Sequence, residues 1–233
     1  MSEKNFYDNL WIMKKKGEKK PRDFFHRYFL DYVIDYAAND RIEVAAKMLT
    51  GGQRVLDLGI WGGTFLNLPD IKNKYSDRFG LDISRESVIA AKESGITNAQ
   101  EWNLNAFPYP FKDSYFDSVS LLAVVEHLFD PDEVIIEAYR LLKPGGQIVL
   151  ALPNVASLSN RMRLFLGKLP ITSDDPGWDG GHLHYFTISE AKKLLLRNKF
   201  KITGLGISGG NQKIRMIWPS MLAGEFILCG EKI

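Results

Sequence analysis

One cysteine in 233 residues, Cys229, excludes an internal disulfide and any zinc site built from several thiolates. Four histidines leave few candidates for a general base or an imidazole ligand. No apolar run is long enough to span a bilayer. The formal net charge of +2 gives no global reason to bind nucleic acid or a membrane. The first residues lack the charged-then-apolar pattern of a secretion signal, so a soluble cytoplasmic protein is expected. No internal repeat or low-complexity tract is visible. What is present is ordinary for one sizeable globular α/β domain: 45% hydrophobic and 25% charged residues.

The most informative stretch is R-V-L-D-L-G-I-W-G-G-T-F-L, residues 54–66. An apolar run carrying Asp57 meets Gly59, Gly62 and Gly63, and a second apolar segment follows. This predicts a buried parallel strand, a tight turn and a helix start, the place where open α/β sheets bind ligands. A dinucleotide turn needs G-x-G-x-x-G. Counting from Gly59, Trp61 and Thr64 stand where its second and third glycines belong. With an acid ahead of the turn, a cationic ligand suits this site better than a diphosphate.

Further elements follow in order. R-F-G-L-D-I-S, residues 78–84, predicts strand two ending at Asp82, with Ser84 as the cap of the next helix. Asp82 lies in the window where such folds place a carboxylate on ribose hydroxyls. Residues 98–111 hold strand three and an aromatic, proline-rich loop. F-D-S-V-S-L-L-A-V-V-E-H-L-F-D-P, residues 116–131, holds strand four and its exit. A helix over Glu133–Leu142 is stopped by K-P-G-G, and strand five, Gln147–Leu152, ends at Pro153-Asn154. Strands six and seven are expected at Lys201–Gly206 and Glu225–Lys232, with Cys229 as inert core. The short segment after Phe65 meets Pro69 early and is expected to be irregular.

Together these motifs resemble the class I S-adenosylmethionine-dependent methyltransferases. Residues 55–66 are similar to the family's V-L-D-L-G-C-G-x-G-x-x-L, with Ile60-Trp61 in place of a small pair. G-L-D-I-S, F-D-x-V…E-H-x-x-D-P and R-L-L-K-P-G-G…P-N are similar to its later motifs, and the resemblance is strong over 54–154. It implies a Rossmann-like seven-stranded, mostly parallel sheet with helices on both faces, strand seven antiparallel, and an N-terminal helical cap. It implies S-adenosylmethionine as cofactor and S-adenosylhomocysteine as product. Cofactor contacts are then expected from Asp57, Gly59, Ile60, Trp61, Gly63, Asp82, Ile83, Asn103, Leu104 and Leu122. Asn103-Leu104 stands where the family has an acid and an apolar residue around the adenine.

Residues 1–48 are expected to form the cap or flap, and 49–233 the methyltransferase domain with a lid over 154–187. Residues 23–49 read as helical, with Phe25, Phe29, Tyr32 and Val33 in an apolar stripe. The lysines between Lys14 and Lys20 read as a solvated segment, or as a flap for an acidic substrate. The lid resembles a small-molecule subgroup with P-N-V-x-S-x-x-x-R ahead of H-x-x-x-F-T. Its polar groups, Arg161, Asp179, His182 and His184, and its walls, Trp178 and Tyr185, suit a substrate pocket.

An oxygen acceptor needs a base, and the candidates are His182, then His184 and His127. His26 lies in the helical region before the domain and reads as an ordinary residue. Ubiquinone-type O-methyltransferases are similar in E-x-x-E-H, a proposed metal site, but Ala123 replaces the first acid, so no metal is expected. The expected partner is a small-molecule acceptor methylated at oxygen, with no membrane and no nucleic acid, and a monomer or homodimer. The alternatives are a methyltransferase-like protein that binds without turnover, motivated by Trp61 and Asn103, and an RNA methyltransferase using the lysine-rich segment.

Overall fold

The structure is a computed structural model that describes residues 4, 5, 7–9, 12, 40–173 and 178–233. The lysine-rich segment, His26 and most of the expected helix over 23–49 lie outside the described residues; its last two turns appear as α1, Arg41–Met48.

Seven strands form one sheet: β1 Gly52–Leu58, β2 Tyr75–Asp82, β3 Asn98–Glu101, β4 Phe116–Leu122, β5 Leu142–Pro153, β6 Phe200–Ile207 and β7 Glu225–Lys232. Their order is β3-β2-β1-β4-β5-β7-β6. The first five pair in parallel, while β7 runs antiparallel to both β5 and β6. The chain reverses direction in strand order between β1 and β4, and ligands of such sheets bind at that switch, beyond the strands' C-terminal ends.

Side-chain alternation along the strands builds two cores. Val55, Val149 and Ala151 face α1, α2 (Pro69–Lys74) and α3 (Arg85–Glu93). Leu56, Leu58, Ile148, Leu150 and Leu152 face α4 (Pro131–Leu141) and α6 (Ile188–Arg197). A helix α5, Leu158–Phe165, lies between β5 and α6 in the chain. Two short helices, α7 (Gln212–Arg215) and α8 (Pro219–Leu222), join β6 to β7.

Local chemistry explains the boundaries. Ser84 Oγ accepts from Ser87 N to cap α3, Asp130 accepts from Asp132 N and Glu133 N to cap α4, and Thr187 accepts from Glu190 N to cap α6. Pro69 starts α2 rather than breaking a helix from Phe65, because the first helical turn needs no proline N–H. The K-P-G-G segment is counted within β5, but it loops out of the ladder: pairing jumps from Phe116–Leu142 to Ser118–Gln147.

Candidate active site

The turn above β1 is held from below. Gly59 N and Ile60 N both donate to Leu81 O of β2, at 2.8 and 3.1 Å. Gly59 has φ +81°, and a Cβ there would come within 2.4 Å of Val124 Cγ2, so only glycine lets β1 and the β4 exit approach this closely. Trp61 follows with φ +43° and Gly62 with φ +69°. Trp61 has therefore kept the left-handed backbone that a glycine would adopt at that position, although the residue itself changed. Its N–H donates to Asp82 Oδ2 at 3.1 Å.

Replacing Trp61 with glycine should relieve backbone strain of roughly 1–2 kcal/mol and keep the N–H bond to Asp82, which is main-chain. Affinity for S-adenosylhomocysteine is expected to hold or improve. An unfolded variant in circular dichroism would show instead that the half-buried indole is structural.

Two acids meet above this turn. Asp57, 3% exposed, accepts from Ser120 Oγ of the neighbouring strand at 2.6 Å. Burial pushes its carboxyl up to about 8 against that hydrogen bond, and the charge of Asp82 adds to the rise. Asp82 is buried as well, and burial raises its carboxyl despite bonds from Ser84 N, Ser87 Oγ and Trp61 N. Those three donors take three of about four acceptor positions of a carboxylate. Asp82 is thus a clamp on the turn, with capacity left for one further donor. Neither acid has an ion-pair partner among the described residues, so a cation placed above them would stabilise their ionised forms. S-adenosylmethionine, with its sulfonium and ammonium groups and its ribose hydroxyls, fits this donor-and-charge arrangement.

The remaining expected cofactor residues divide. The side chain of Ile60 is 1% exposed and packs on Gly80, where an added Cβ would sit 2.1 Å from its Cδ1. Only its backbone can face a ligand. Gly63 is a packing glycine, with Ser94 and Ile96 both 3.0 Å from where its Cβ would be. Leu104 belongs to the core, whereas Ile83 and Leu122 are half-buried beside the strand ends. Asn103 is exposed, and its Oδ1 accepts from Asn105 N at 2.9 Å, so its carbonyl already closes a local turn.

Lys4, Tyr7 and Asp8 lie over this corner: Asp8 accepts from Ser84 Oγ at 2.7 Å, Lys4 pairs with Glu101, and Tyr7 meets the ring of His127 edge-on at 6.0 Å.

The second half of the site forms where the lid meets the β4 exit. Glu126 is its pivot. Its backbone oxygen accepts from Leu183 N at 2.8 Å and His184 N at 3.1 Å, tying the lid down. Its side chain is 1% exposed, and neither carboxylate oxygen has a hydrogen-bond partner. Burial pushes it up to about 8, with Arg41 opposing and Glu225 reinforcing the rise.

His182 is buried with its Nε2 3.9 Å from Glu126 Oε1. On the other side its Nδ1 lies 2.6 Å from Thr172 Oγ1. Thr172 Oγ1 donates to Asp179 Oδ2, and Asp179 Oδ1 accepts from Thr172 N and Ser173 N. With its own proton committed to Asp179, Thr172 accepts from Nδ1–H, which assigns the lone pair of neutral His182 to Nε2. His127 stands beside it with ring centroids 4.7 Å apart, and its Nδ1 lies 3.3 Å from Gly181 O.

The structure therefore brings His127 and His182 together and separates His184, whose Nε2 lies 3.2 Å from Phe129 O and docks the lid. Arg161 is outside the cluster; it is exposed and donates to Ala156 O. Tyr185 is 45% exposed, and the side chain of Trp178 lies outside the described residues. Gly180 and Gly181, with φ of 69° and 84°, shape the turn that delivers His182. Glu126 and Thr172 were not singled out as site residues; E-H after strand four was the available signal for the first. Glu126, His127 and His182 offer ligand atoms within 4.8 Å of one another, a spacing that could also bridge a divalent cation.

Known proteins point the same way. A family model described as a methyltransferase domain matches residues 56–150. The ubiquinone/menaquinone biosynthesis C-methyltransferase UbiE of Vibrio cholerae is 31% identical over 114 residues, covering 42% of this chain and 40% of that protein. Phosphatidylethanolamine N-methyltransferase of Cereibacter sphaeroides is 32% identical over 118 residues, covering 47% of this chain and 55% of its own length. The chain thus spans about two fifths of the first curated relatives it matches. An S-adenosylmethionine-dependent methyltransferase from Thermotoga maritima shares the fold, with TM-score 0.65 and 16% identity over 98% of this chain and 99% of its own. The matched residues run from β1 into β5, the strands that build the glycine turn, both acids and the β4 exit, and over this stretch the chain is similar to a methyltransferase domain.

Proposed function

We propose that this protein methylates a hydroxyl oxygen of a small-molecule acceptor, with His182 as the base. The observation that carries this reading is the buried Glu126–His182 pair with the His182 lone pair assigned to Nε2 by the Thr172–Asp179 chain. S-adenosylmethionine, when bound, supplies the methyl group from its sulfonium. Asp57 and Asp82 hold that cofactor's charge and ribose above the glycine turn. The lid would hold the acceptor hydroxyl against the β4 exit, beside His182. When the hydroxyl oxygen takes the methyl group and the sulfonium S–C bond breaks, its proton would pass to Nε2 of His182, and Glu126, once it has released its own proton, would balance the imidazolium. The relatives named above carry out methylation at carbon and at nitrogen, so the acceptor atom is argued from the local base alone. Lys4, Tyr7 and Asp8 act as part of a cap over the cofactor.

The test is calorimetry with S-adenosylhomocysteine, followed by a methyl-transfer screen over hydroxylated metabolites. Binding together with transfer to oxygen is expected. Binding without transfer to any acceptor class would favour the second reading, a protein that binds the cofactor without turnover, to which Trp61 and the occupied Asn103 contribute.

Cofactor binding should depend on pH through Asp57. With its carboxyl near 8, the free protein carries it mostly protonated at neutral pH, whereas a cationic ligand binds the ionised form. Affinity for S-adenosylmethionine is expected to rise with pH from about 6.5 to about 8, by at most about tenfold per unit, and then level off. Asp57→Asn should flatten the profile. In the ligand-free protein the sign is opposite: the folded state holds the Asp57 and Glu126 protons that the unfolded chain releases near pH 4, so stability falls between about 4 and 8.

A further inference from the structure

Two segments at the rim of the site are unusually apolar on the outside. In and after α5, Phe165 is 83% exposed, Leu166 60% and Leu169 61%. Between α7 and α8, Ile217 is 80% exposed and Trp218 57%. Scattered exposed apolar residues are normal, but large ones concentrated in short segments mark an interaction surface.

Both segments sit at the same end of the sheet. One leaves the C-terminal end of β5, and the other joins β6 to β7. Asn154, at the root of the first, donates through Nδ2 to Ser220 O and Ala223 O of the second, at 3.2 and 2.8 Å. This is also the end where the lid meets Glu126, so the apolar rim borders the mouth of the candidate active site.

Their charge identifies the partner. Residues 158–169 contain Arg161, Arg163 and Lys168 and no acid, and residues 213–218 contain exposed Lys213 and buried Arg215 and no acid; the acids nearest in the chain are Asp174 and Asp175, and Asp40 accepts from Gly209 N and Gln212 Nε2 beside the second segment. Arg161, Lys168 and Lys213 are exposed among the apolar side chains. A bare apolar rim studded with cations is complementary to an anionic lipid surface, where leucine, phenylalanine and tryptophan enter the headgroup–acyl boundary and basic groups meet lipid phosphates. It suits a second copy of the chain poorly, because a two-fold interface would set the same cations against one another. We propose that residues 158–169 and 213–218 dock this protein peripherally on an anionic membrane surface. No helix among the described residues is long and apolar enough to cross the bilayer, so the docking is interfacial. This inference does not depend on which acceptor is methylated.

The experiment is co-sedimentation of the full chain with extruded vesicles of phosphatidylcholine, with and without phosphatidylglycerol. Binding to the phosphatidylglycerol vesicles is expected to be at least about tenfold tighter than to phosphatidylcholine alone, and to weaken with salt. The combined variant Phe165→Ser, Ile217→Ser, Trp218→Ser should lose at least about tenfold of that binding. Its affinity for S-adenosylhomocysteine should be unchanged, which shows that it is folded. Wild-type protein that stays in the supernatant with both vesicle types would overturn the proposal, as would a triple variant that binds as well as wild type. If analytical ultracentrifugation shows a dimer that the triple variant disperses while vesicles capture neither protein, the rim is a contact between copies and the lipid proposal is wrong.

Discussion

Replacing His182 with alanine is expected to lower methyl transfer by roughly 10²–10⁴-fold while leaving S-adenosylhomocysteine affinity intact. The residue lies at the lid end of the site, away from the glycine turn, so cofactor binding should not depend on it. It is also buried against Glu126 and Thr172, so its loss removes the one imidazole whose tautomer the structure assigns by a hydrogen-bond chain. His184→Ala should cost little in the chemical step, because that ring faces Phe129 O rather than the cluster. Thr172→Val should reduce the rate less than His182→Ala and change its pH profile, since the imidazole would lose the acceptor that directs Nδ1–H. Equal rates for wild type and His182→Ala would remove the base from this position. A different result would reassign the residue: if a chelator stops transfer and a divalent ion restores it, His182 holds a cation with Glu126 and His127 instead of accepting the proton.

Asp82→Ala is expected to weaken S-adenosylhomocysteine binding by roughly 1.5–3 kcal/mol, about 10- to 150-fold. The reason goes beyond a lost ribose contact. The alanine would leave Trp61 N, Ser84 N and Ser87 Oγ without their shared acceptor, and the first two belong to backbone that shapes the site. Asp82→Asn keeps one carbonyl oxygen and should fall between wild type and alanine. Calorimetry on the three proteins reads the series directly. Unchanged affinity in Asp82→Ala would mean that the cofactor does not rest on β2 at all.

The fold was legible where the signals are local. Apolar runs, caps at Ser84 and Thr187, and the glycine turn each act within a few residues, and they placed all seven strands; the reversal of β7 was implied by the family resemblance alone. The segment after Phe65 is irregular as expected, and Pro69 opens α2, a first-turn position that the sequence does not specify. The path of the turn, which local sequence does not give, sends the side chain of Ile60 onto Gly80. Asn103 kept the right chemistry for an adenine contact, but a neighbour two residues on had already engaged its oxygen.

By itself the sequence determined the cofactor half of this protein. The acid, the turn and Asp82 follow one another along β1 and β2, so their spacing carries the geometry. The tertiary structure alone brought together the residues proposed to face the acceptor. His127 and Gly181 meet across 54 residues of chain, and nothing local predicts that the lid folds back on Glu126. Choosing among three histidines required knowing which of them is buried beside an unpaired carboxylate, a property of packing between distant segments. The same holds for the apolar rim, whose exposure depends on how the fold places the two segments.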